Sequence, residues 1–292
     1  MKNIPAEVER NLKLVIREIE LDLAFNNSNN LLSVKSLVEI SGMSERSLRN
    51  WFKEYKGMSI SGYIKKRQTD YGARILRLFP KSTKKEVADK IGLATSQSLY
   101  PFMKRCGIEN IDGLKGMPIL KELSLLPCRK ERLSECVMFY IFDEALYNEC
   151  AKPEYESSHW DKIEKFVKDS FPDSVKVGDV GFAIDRYVEN KIEEGVFVSG
   201  ILYRNVSPQK FSKGFRGEIG LQIIPGNKYA VFTYEGSYDG LSPFYQSVVY
   251  TIFQRDDIQV DKSLLIMEKY LNSPVDTLAE ELITELWVPV IS

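Results

Sequence analysis

The sequence has almost no net charge, no long apolar run and no recognisable export signal. Its 40 Lys/Arg and 41 Asp/Glu residues leave a formal net charge of −1 over 292 residues. No stretch reaches the roughly 18 consecutive apolar residues that indicate a membrane-spanning helix. The first residues, MKNIPAEVERNLK, lack the apolar core and the small-residue cleavage site of a signal peptide. These absences predict a cytoplasmic globular protein with no membrane partner, long enough for about two domains.

Residues that usually hold metals, form disulfides or act as nucleophiles are also scarce. The four cysteines, at 106, 128, 136 and 150, show no Cys-x-x-Cys spacing, which favours free and mostly packed thiols in a reducing compartment. The single histidine, His159, opens an amphipathic run and has no sequence neighbours suited to a metal or a catalytic triad. We interpret it as a structural or surface residue, and we expect neither a metal nor a cofactor.

The near-neutral total conceals two parts of opposite charge. Residues 1–116 hold 21 Lys/Arg against 13 Asp/Glu, and residues 31–105 alone hold 16 against 6. Residues 117–292 contain the other 19 basic and 28 acidic residues. This asymmetry predicts a polyanion-binding domain at 1–116, joined to a domain with a different role at 117–292.

Apolar periodicity predicts that the first part is helical throughout. Apolar residues recur at three- and four-residue steps from Val8 to Leu23, which is typical of one amphipathic helix. Capping residues and breakers then predict helices at 34–41, Glu45–Tyr55, Ile60–Leu78, Thr83–Ile91 and Thr95–Arg105. Glycines between the short helices permit the sharp reversal that sets a second helix across the first. The pattern indicates two helix-turn-helix units on either side of a connecting helix.

The helix Glu45–Tyr55 combines an apolar stripe with a basic outer surface. Leu48, Trp51 and Phe52 share one face, because they are three and four residues apart. The outward positions are Arg46, Arg49, Asn50 and Lys53. In the major groove Arg can pair with guanine and Asn with adenine, while Lys suits phosphate. An ordinary solvated helix face has the same composition, so these residues alone leave both interpretations open.

The segment LSVKSLVEISGMSERSLRNWFKEYKGMSISGYIKKRQTDYGARIL resembles the first helix-turn-helix and the connecting helix of AraC/XylS-type transcription factors. The likeness is greatest to the MarA/SoxS/Rob branch, whose DNA-binding domain comes first, and it covers about residues 8–107. The resemblance implies double-stranded DNA and RNA polymerase as partners, and base contacts from Arg46, Arg49 and Asn50. Ser44, the predicted cap of this helix, and Lys53 complete its predicted DNA-binding set.

The second unit, EVADKIGLATSQSLYPFMKR, departs from that family pattern. Pro101 stands where the family usually has a recognition arginine, and Lys84 replaces a usual core aliphatic residue. Counted from a cap at Thr95, Pro101 lies beyond the first helical turn, where a proline costs about 3 kcal/mol or kinks the helix. We therefore expect weak base reading and a short or asymmetric footprint. The candidate DNA contacts of this unit are Ser96, Gln97 and Tyr100.

After residue 116 the pattern changes to strands and turns. The predicted strands are Leu133–Phe142, Val180–Val188, Val196–Tyr203, Lys228–Tyr234, Ser263–Leu271 and Ile283–Val290, and the predicted helices are His159–Phe171 and Leu241–Gln254. Met117–Arg132 is predicted as an entry strand or linker, and Arg204–Gly217 as a loop. The order strand, helix, strand, strand occurs twice, which predicts an α+β domain of two related halves around a cleft.

The segments KYAVFTYEGSYDGLSPFYQSVVYTIFQ and SLLIMEKYLNSPVDTLAEELITELWVPV resemble the gyrase-inhibitor-like (GyrI-like) effector-binding domain. The likeness is close over residues 218–290 and diffuse over 117–217. Rob-like regulators join such a domain to a preceding AraC-type domain. The resemblance therefore implies a multi-domain transcription regulator, an activator of stress or drug-efflux genes, that senses a small hydrophobic or cationic effector.

Strand alternation points to the residues that would bind this effector. On 263–271 a two-residue period places Leu264, Ile266, Glu268 and Tyr270 on one face. A carboxylate among apolar side chains is costly unless something pairs with it, and a lipophilic cation supplies both charge and apolar surface. Glu268 is thus the predicted ligand carboxylate. Its candidate walls are Tyr234, Tyr238, Tyr270 and Trp287. Pairing of Glu268 with an internal Lys or Arg, or exposure at a strand edge, are the alternatives.

Two other classes of function remain open at this point. Some domains of the GyrI-like fold resemble hydrolases, and Glu268 with Tyr270 and Trp287 would then be a general base in an aromatic cradle. The sequence has no spacing typical of a triad, a metal site or a phosphate-binding glycine loop, so we expect a binding protein and not an enzyme. A stand-alone gyrase or protein inhibitor fits poorly with an attached basic helical domain.

Overall fold

The structure is a computed structural model, and it describes residues 4–25, 33–115, 125–144, 153–185, 195–206, 217–261 and 264–291. Several predictions fall outside these residues: the break at 26–30, the first half of the entry strand or linker at 117–132, the end of the strand predicted to reach Val188, and most of the loop at 204–217. The described residues form two compact units, one made of the helices up to Arg105 and one made of the elements from Arg129 onwards. The domain boundary at 116/117 lies outside the described residues and stays a prediction.

The first unit is helical, as predicted. Its helices are α1 (Ala6–Phe25), α2 (Val34–Ser41), α3 (Glu45–Lys56), α4 (Ile60–Leu78), α5 (Lys84–Lys90) and α6 (Leu99–Arg105). Ser33, Ser44 and Thr83 cap α2, α3 and α5 by accepting from a backbone N–H three residues on, which satisfies a donor that the helix start leaves open. Gly42 and Gly57 end α2 and α3 at φ of +65° and +69°, a conformation that favours glycine.

The prediction of one helix from Thr95 to Arg105 was wrong. A 3-10 turn occupies Ser96–Ser98, and α6 begins only at Leu99. Pro101 is therefore the third residue of α6, where a backbone N–H has no acceptor within the helix. The residues before Leu99 form a 3-10 turn and not α-helix, so Pro101 lies in the first turn of α6. At this position the proline removes no hydrogen bond of the α-helix.

A buried ion cluster joins α1 to α4. Arg67 donates to Glu20 from Nε (2.7 Å) and Nη2 (3.0 Å), and from Nη1 to Asp70 at 2.6 Å. Tyr63 Oη donates to Glu20 at 2.7 Å. Arg67 is 1% exposed and Glu20 is fully buried. Burial disfavours the charged guanidinium, but the two carboxylates hold the pKa of Arg67 well above its ordinary value. The periodicity of α1 suggests a purely apolar inner face, but this face also carries the buried carboxylate of Glu20.

Within the residues that the structure describes, the second unit contains an eight-stranded sheet and two α-helices. Its elements are β1 (Arg129–Leu133), β2 (Cys136–Asp143), α7 (Pro153–Ser170), β3 (Val175–Asp185), β4 (Gly195–Arg204), β5 (Ile219–Ile224), β6 (Asn227–Glu235), α8 (Leu241–Gln254), β7 (Met267–Tyr270) and β8 (Ile283–Val290). The strand order is β1-β6-β8-β7-β3-β4-β2-β5. The predicted division into a helical first part and an α+β second part is confirmed.

Two strands lie beside partners that are distant in the sequence. β1 comes directly before β2 in the chain but pairs with β6, and β5 comes directly before β6 but pairs with β2. β1 overlaps the end of the segment Met117–Arg132, which was predicted as an entry strand or linker, whereas β5 was not predicted. The strand predicted at Ser263–Leu271 is shorter in the structure, where only Met267–Tyr270 pairs.

Helix α7 packs against one face of the sheet and creates a core there. The buried side chains that form this core come from α7, β2 and β4, and they are Val137, Phe139, Ile141, Ile163, Val167, Phe171, Ile201 and Tyr203. His159 on α7 belongs to the same face, since its Nδ1 lies 3.1 Å from Ser199 Oγ of β4. It is 7% exposed, and burial lowers its pKa. Among the described helices, none has the length and the apolar character that crossing a membrane requires.

The thiols are only partly packed, in contrast to the prediction. Cys136 is buried, Cys128 is half-buried and Cys106 is exposed, and all three are free. Burial raises the pKa of the Cys136 thiol to about 11, so this thiol stays protonated and inert at neutral pH. Cys150 lies outside the described residues.

Candidate functional site

Glu268 on β7 is a buried carboxylate that accepts hydrogen bonds from two phenols. Tyr245 on α8 donates to its Oε1 at 2.8 Å, and Tyr270, two residues along the strand, donates to its Oε2 at 2.6 Å. Glu268 is only 5% exposed. Hydrogen bonds to both oxygens stabilise the ionised form of a carboxyl group that burial would otherwise disfavour. The two hydrogen bonds therefore fix both oxygens of this carboxyl group at a defined place beside α8.

Aromatic rings surround the phenol of Tyr270. Trp160 of α7 meets its ring edge-on, with the ring centroids 5.9 Å apart, and Tyr238 meets it at 5.8 Å. Trp160 Nε1 donates to the carbonyl oxygen of Gly200 at 3.1 Å, which anchors the indole to β4. Both helices thus contribute aromatic or phenolic side chains to the side of the sheet that carries Glu268.

Tyr234 is the third predicted wall residue on this side of the sheet. The register pairs Tyr234 of β6 and Tyr270 of β7 with the same residue of β8, Thr284, and directly paired residues point to the same face. The ring of Tyr234 packs on Phe244 of α8, with centroids 5.1 Å apart, and its Oη donates to Ser237 O at 2.9 Å. The structure therefore brings four of the predicted residues to one face: Glu268, Tyr270, Tyr234 and Tyr238.

The absence of a side chain at Gly181 makes room for Tyr270. Gly181 on β3 pairs with Glu268 in register. A Cβ at this position would lie 2.5 Å from Tyr270 Oη and 2.8 Å from Cζ of Phe197, both far below normal contact distances. Tyr270 can donate to Glu268 in this position only because residue 181 is a glycine.

Trp287 lies on the opposite face of the sheet, which corrects the prediction that it lines the same site. It pairs with Met267, whereas Glu268 pairs with Leu286, and consecutive strand residues point to opposite faces. Its indole Nε1 donates to Glu285 at 2.8 Å, and Lys269 Nζ lies 5.0 Å from its ring centroid. Trp287 is therefore not a wall of the Glu268 site.

Sequence reasoning missed three contributors to the site: Tyr245, Trp160 and Gly181. Trp160 precedes Ile163 and Val167 at three- and seven-residue steps, so its pattern is that of any core residue of an amphipathic helix. Tyr245 carried a detectable signal, because it lies within the segment that resembles a GyrI-like domain. Which of its neighbours it would contact depends on how α8 crosses the sheet, and no local pattern gives that.

The outer surface of α3 is exposed as predicted. Leu48 and Phe52 are fully buried. Ser44, Arg46, Arg49, Asn50 and Lys53 are exposed. Arg49 donates to Glu45 Oε1 from Nη2 at 2.7 Å and from Nε at 2.9 Å. Contact of these residues with DNA stays a prediction.

The candidate contacts of the second unit are less accessible. Gln97 is exposed, whereas Ser96 and Tyr100 are half-buried. Tyr100 Oη donates to Asp112 Oδ1 at 2.7 Å, and Lys84 Nζ lies 4.1 Å from the centroid of its ring. Lys84 thus packs on an aromatic face at the start of α5 where the family pattern has a core aliphatic residue. Burial and the bond to Asp112 raise the pKa of Tyr100.

A comparison with known protein families matches part of the second unit. Residues 191–291 match the family described as GyrI-like small molecule binding domain. No curated protein matches the chain. Similar solved structures include the EcmrR C-terminal domain, at 16% identity and a TM-score of 0.42 over 58% of this chain and 99% of that one. Another is SAV2435 bound to tetraphenylphosphonium, at 17% identity and 0.37 over 57% of this chain and 95% of that one. The chain carries a GyrI-like domain at its C-terminal end.

Proposed function

We propose that this protein is a DNA-binding transcription regulator whose second unit senses a small hydrophobic cation. The single observation that carries the effector part is the buried Glu268 carboxylate, which accepts hydrogen bonds from two phenols, one of which packs against Trp160 and Tyr238. A cation with apolar substituents complements both properties of this site. Its charge is attracted by the carboxylate, and each aromatic face adds about 0.5–2 kcal/mol of cation–π attraction depending on desolvation.

The same hydrogen bonds argue against the hydrolase alternative. A general base must take up a proton during the reaction. Glu268 accepts a phenolic proton at each oxygen, and these bonds stabilise its charged form. A phenol therefore occupies each oxygen, so neither oxygen can take a proton from a substrate without displacing Tyr245 or Tyr270. We therefore assign Glu268 to ligand binding and not to catalysis.

The DNA-binding part of the proposal rests on α3. Its apolar side is buried and its basic side is exposed, which leaves Arg46 and Asn50 accessible to base edges and Lys53 to phosphates if α3 lies in a major groove. Arg49 is held by Glu45, but both side chains are about half exposed, and such a surface pair contributes only about 0–1 kcal/mol. Transfer of Arg49 from Glu45 to guanine is therefore inexpensive.

We further propose that α2 with α3, and α5 with α6, are two unequal helix-turn-helix units. Tyr100 is occupied by Asp112 and Lys84, which supports a weaker role for the second unit. The resemblance to AraC-type factors favours activation through RNA polymerase over repression. For the effector to regulate, it must bind one arrangement of the protein more tightly than another, because equal affinity for both shifts nothing.

A selection experiment tests the proposal. The full-length protein selects bound fragments from a random DNA library, with and without tetraphenylphosphonium, and the enriched sequence and its affinity are measured at fixed salt. We expect one enriched motif whose occupancy changes with the cation. The change should disappear in Glu268→Gln and persist in Glu280→Gln, which alters an exposed carboxylate. No enriched motif would refute DNA recognition, and an undiminished response in Glu268→Gln would refute the assigned site.

A further inference from the structure

Thr284 on β8 is a buried polar residue within the same row of side chains as the predicted walls. It is fully buried, and among the described residues its Oγ1 has no hydrogen-bond partner. It lies in register between Tyr234 of β6 and Tyr270 of β7, so its side chain points to the face that carries Glu268. Buried hydroxyls are nearly always hydrogen-bonded, and one that is not calls for an explanation.

The hydroxyls of Tyr234, Thr284 and Tyr270, which form this row, differ in whether each donates a hydrogen bond. The proton of Tyr234 is donated to Ser237 O, and that of Tyr270 is donated to Glu268 Oε2. The proton of Thr284 is the one in this row without an acceptor among the described residues. The row therefore presents one available donor, on the same face as the carboxylate and close to it.

We propose that Thr284 Oγ1 is a second polar contact of the effector site and donates to an acceptor oxygen of the bound cation. Glu268 pairs with Leu286, two residues beyond Thr284, and such diagonal neighbours on adjacent strands are about 7–8 Å apart. The effector would then be an organic cation with a carbonyl or ether oxygen at roughly this distance from its charge. This inference rests on the proposed function, since it adds a second contact to the cation at Glu268.

A matched pair of cations tests this contact. One is (4-oxo-4-phenylbutyl)trimethylammonium, and the other is (4-phenylbutyl)trimethylammonium, which differs only in the loss of the carbonyl oxygen. Calorimetry measures both affinities for the full-length protein, for Thr284→Val, which has the same shape without the hydroxyl, and for Thr284→Ser, which keeps it. We expect the ketone to bind about 2- to 10-fold more tightly to the natural protein and to Thr284→Ser. The preference should vanish in Thr284→Val.

The outcomes separate this inference from the proposed function. If both cations bind equally to the natural protein, or if Thr284→Val keeps the preference, the donor role is refuted. When that happens while Glu268→Gln weakens both cations, the cation site itself still stands. If neither cation binds the natural protein, both proposals fail. Circular dichroism and the melting temperature check the fold, and Thr284→Ala is the second variant should Thr284→Val not fold.

Discussion

Arg67 on α4 donates to both carboxylate oxygens of Glu20 on α1, at 2.7 and 3.0 Å, although 47 residues separate them. Neither side chain is more than 1% exposed. A buried pair of this kind gives little net stability compared with apolar residues of the same shape, but removal of one partner leaves an uncompensated charge in the interior. The pair therefore fixes how α1 lies on α4 more than it strengthens their packing.

The first prediction follows from this asymmetry. Arg67→Met leaves Glu20 and Asp70 buried without their cation, and we expect a loss of about 3–5 kcal/mol in the unfolding free energy. Urea titration followed by far-ultraviolet circular dichroism measures it. The control is Lys13→Gln, which breaks the exposed pair of Lys13 with Glu9 on the same helix and should cost no more than about 1 kcal/mol. Equal losses in the two variants would contradict the structural role of Arg67.

The second prediction concerns pH and His159. Burial lowers its pKa below the ordinary value of 6.5, against the attraction of Asp143 and Glu218, while Lys162 lowers it further. As the pH falls through 6.5, the unfolded chain therefore binds a proton that the folded protein does not, so stability decreases with falling pH until the folded pKa is reached. The decrease is at most about 1.4 kcal/mol per pH unit.

Comparison with His159→Gln isolates this contribution. Gln can still bond to Ser199 but does not titrate, so the other groups cancel when the two unfolding free energies are subtracted at pH 7.5, 6.5 and 5.5. We expect the natural protein to lose more stability than the variant over this range. A constant difference would show that His159 accepts a proton in the folded state as readily as in the unfolded chain, and a change in the opposite direction would show that it does so more readily.

The third prediction tests the space that Gly181 leaves for Tyr270. Gly181→Ala should displace the Tyr270 phenol from Glu268, because the new Cβ would lie 2.5 Å from its oxygen, and we expect tetraphenylphosphonium to bind about 10-fold more weakly, as the loss of one hydrogen bond to a charged group implies. Gly178→Ala on the same strand is the matched control, since its Cβ would meet only the flexible end of Lys269. Equal affinities in the two variants would separate Tyr270 from ligand binding.

The fourth prediction separates the roles of side chains on α3. Arg46→Ala and Asn50→Ala should each cost about 1–3 kcal/mol of binding to the selected DNA motif and relax the preference at one base pair. Lys53→Ala should weaken binding to all sequences alike and reduce the dependence of log K on log salt by about 1. Titrations of specific and scrambled duplexes at several salt concentrations measure both effects. Uniform weakening by Arg46→Ala would mean that it contacts phosphate.

Local signals predicted the helices well and the sheet only in part. The bounds of α4 and α8 agree with the predictions to the residue, because caps, glycines and apolar period act within a few residues of one another. β1 reads RKERL, in which four of five residues are charged, and it is a strand because β6 lies beside it. Pairing of this kind depends on residues about 100 positions away, which no local pattern encodes.

The candidate site shows the same division between local and distant causes. Alternation along β7 placed Glu268 and Tyr270 on one face, and that placement follows from the geometry of a single strand. Trp287 was assigned to the same site because an aromatic face attracts a cation, but the face of the sheet on which it lies depends on the register between β7 and β8. The ion pair of Glu20 with Arg67 could not be predicted from the sequence pattern either, because an acidic residue within an amphipathic helix usually faces solvent.

Because β1 pairs with β6 and β5 pairs with β2, strands from the first and the last parts of this unit complete each other's hydrogen bonding. A chain cut between β4 and β5 would leave a first fragment in which β1 no longer has β6 beside it and β2 keeps β4 but loses β5. Each fragment would then expose strand edges with unpaired N–H and C=O groups, which are prone to aggregation. The strands before and after this cut are interlocked, so they should unfold together in one cooperative transition and resist division into independently folding pieces.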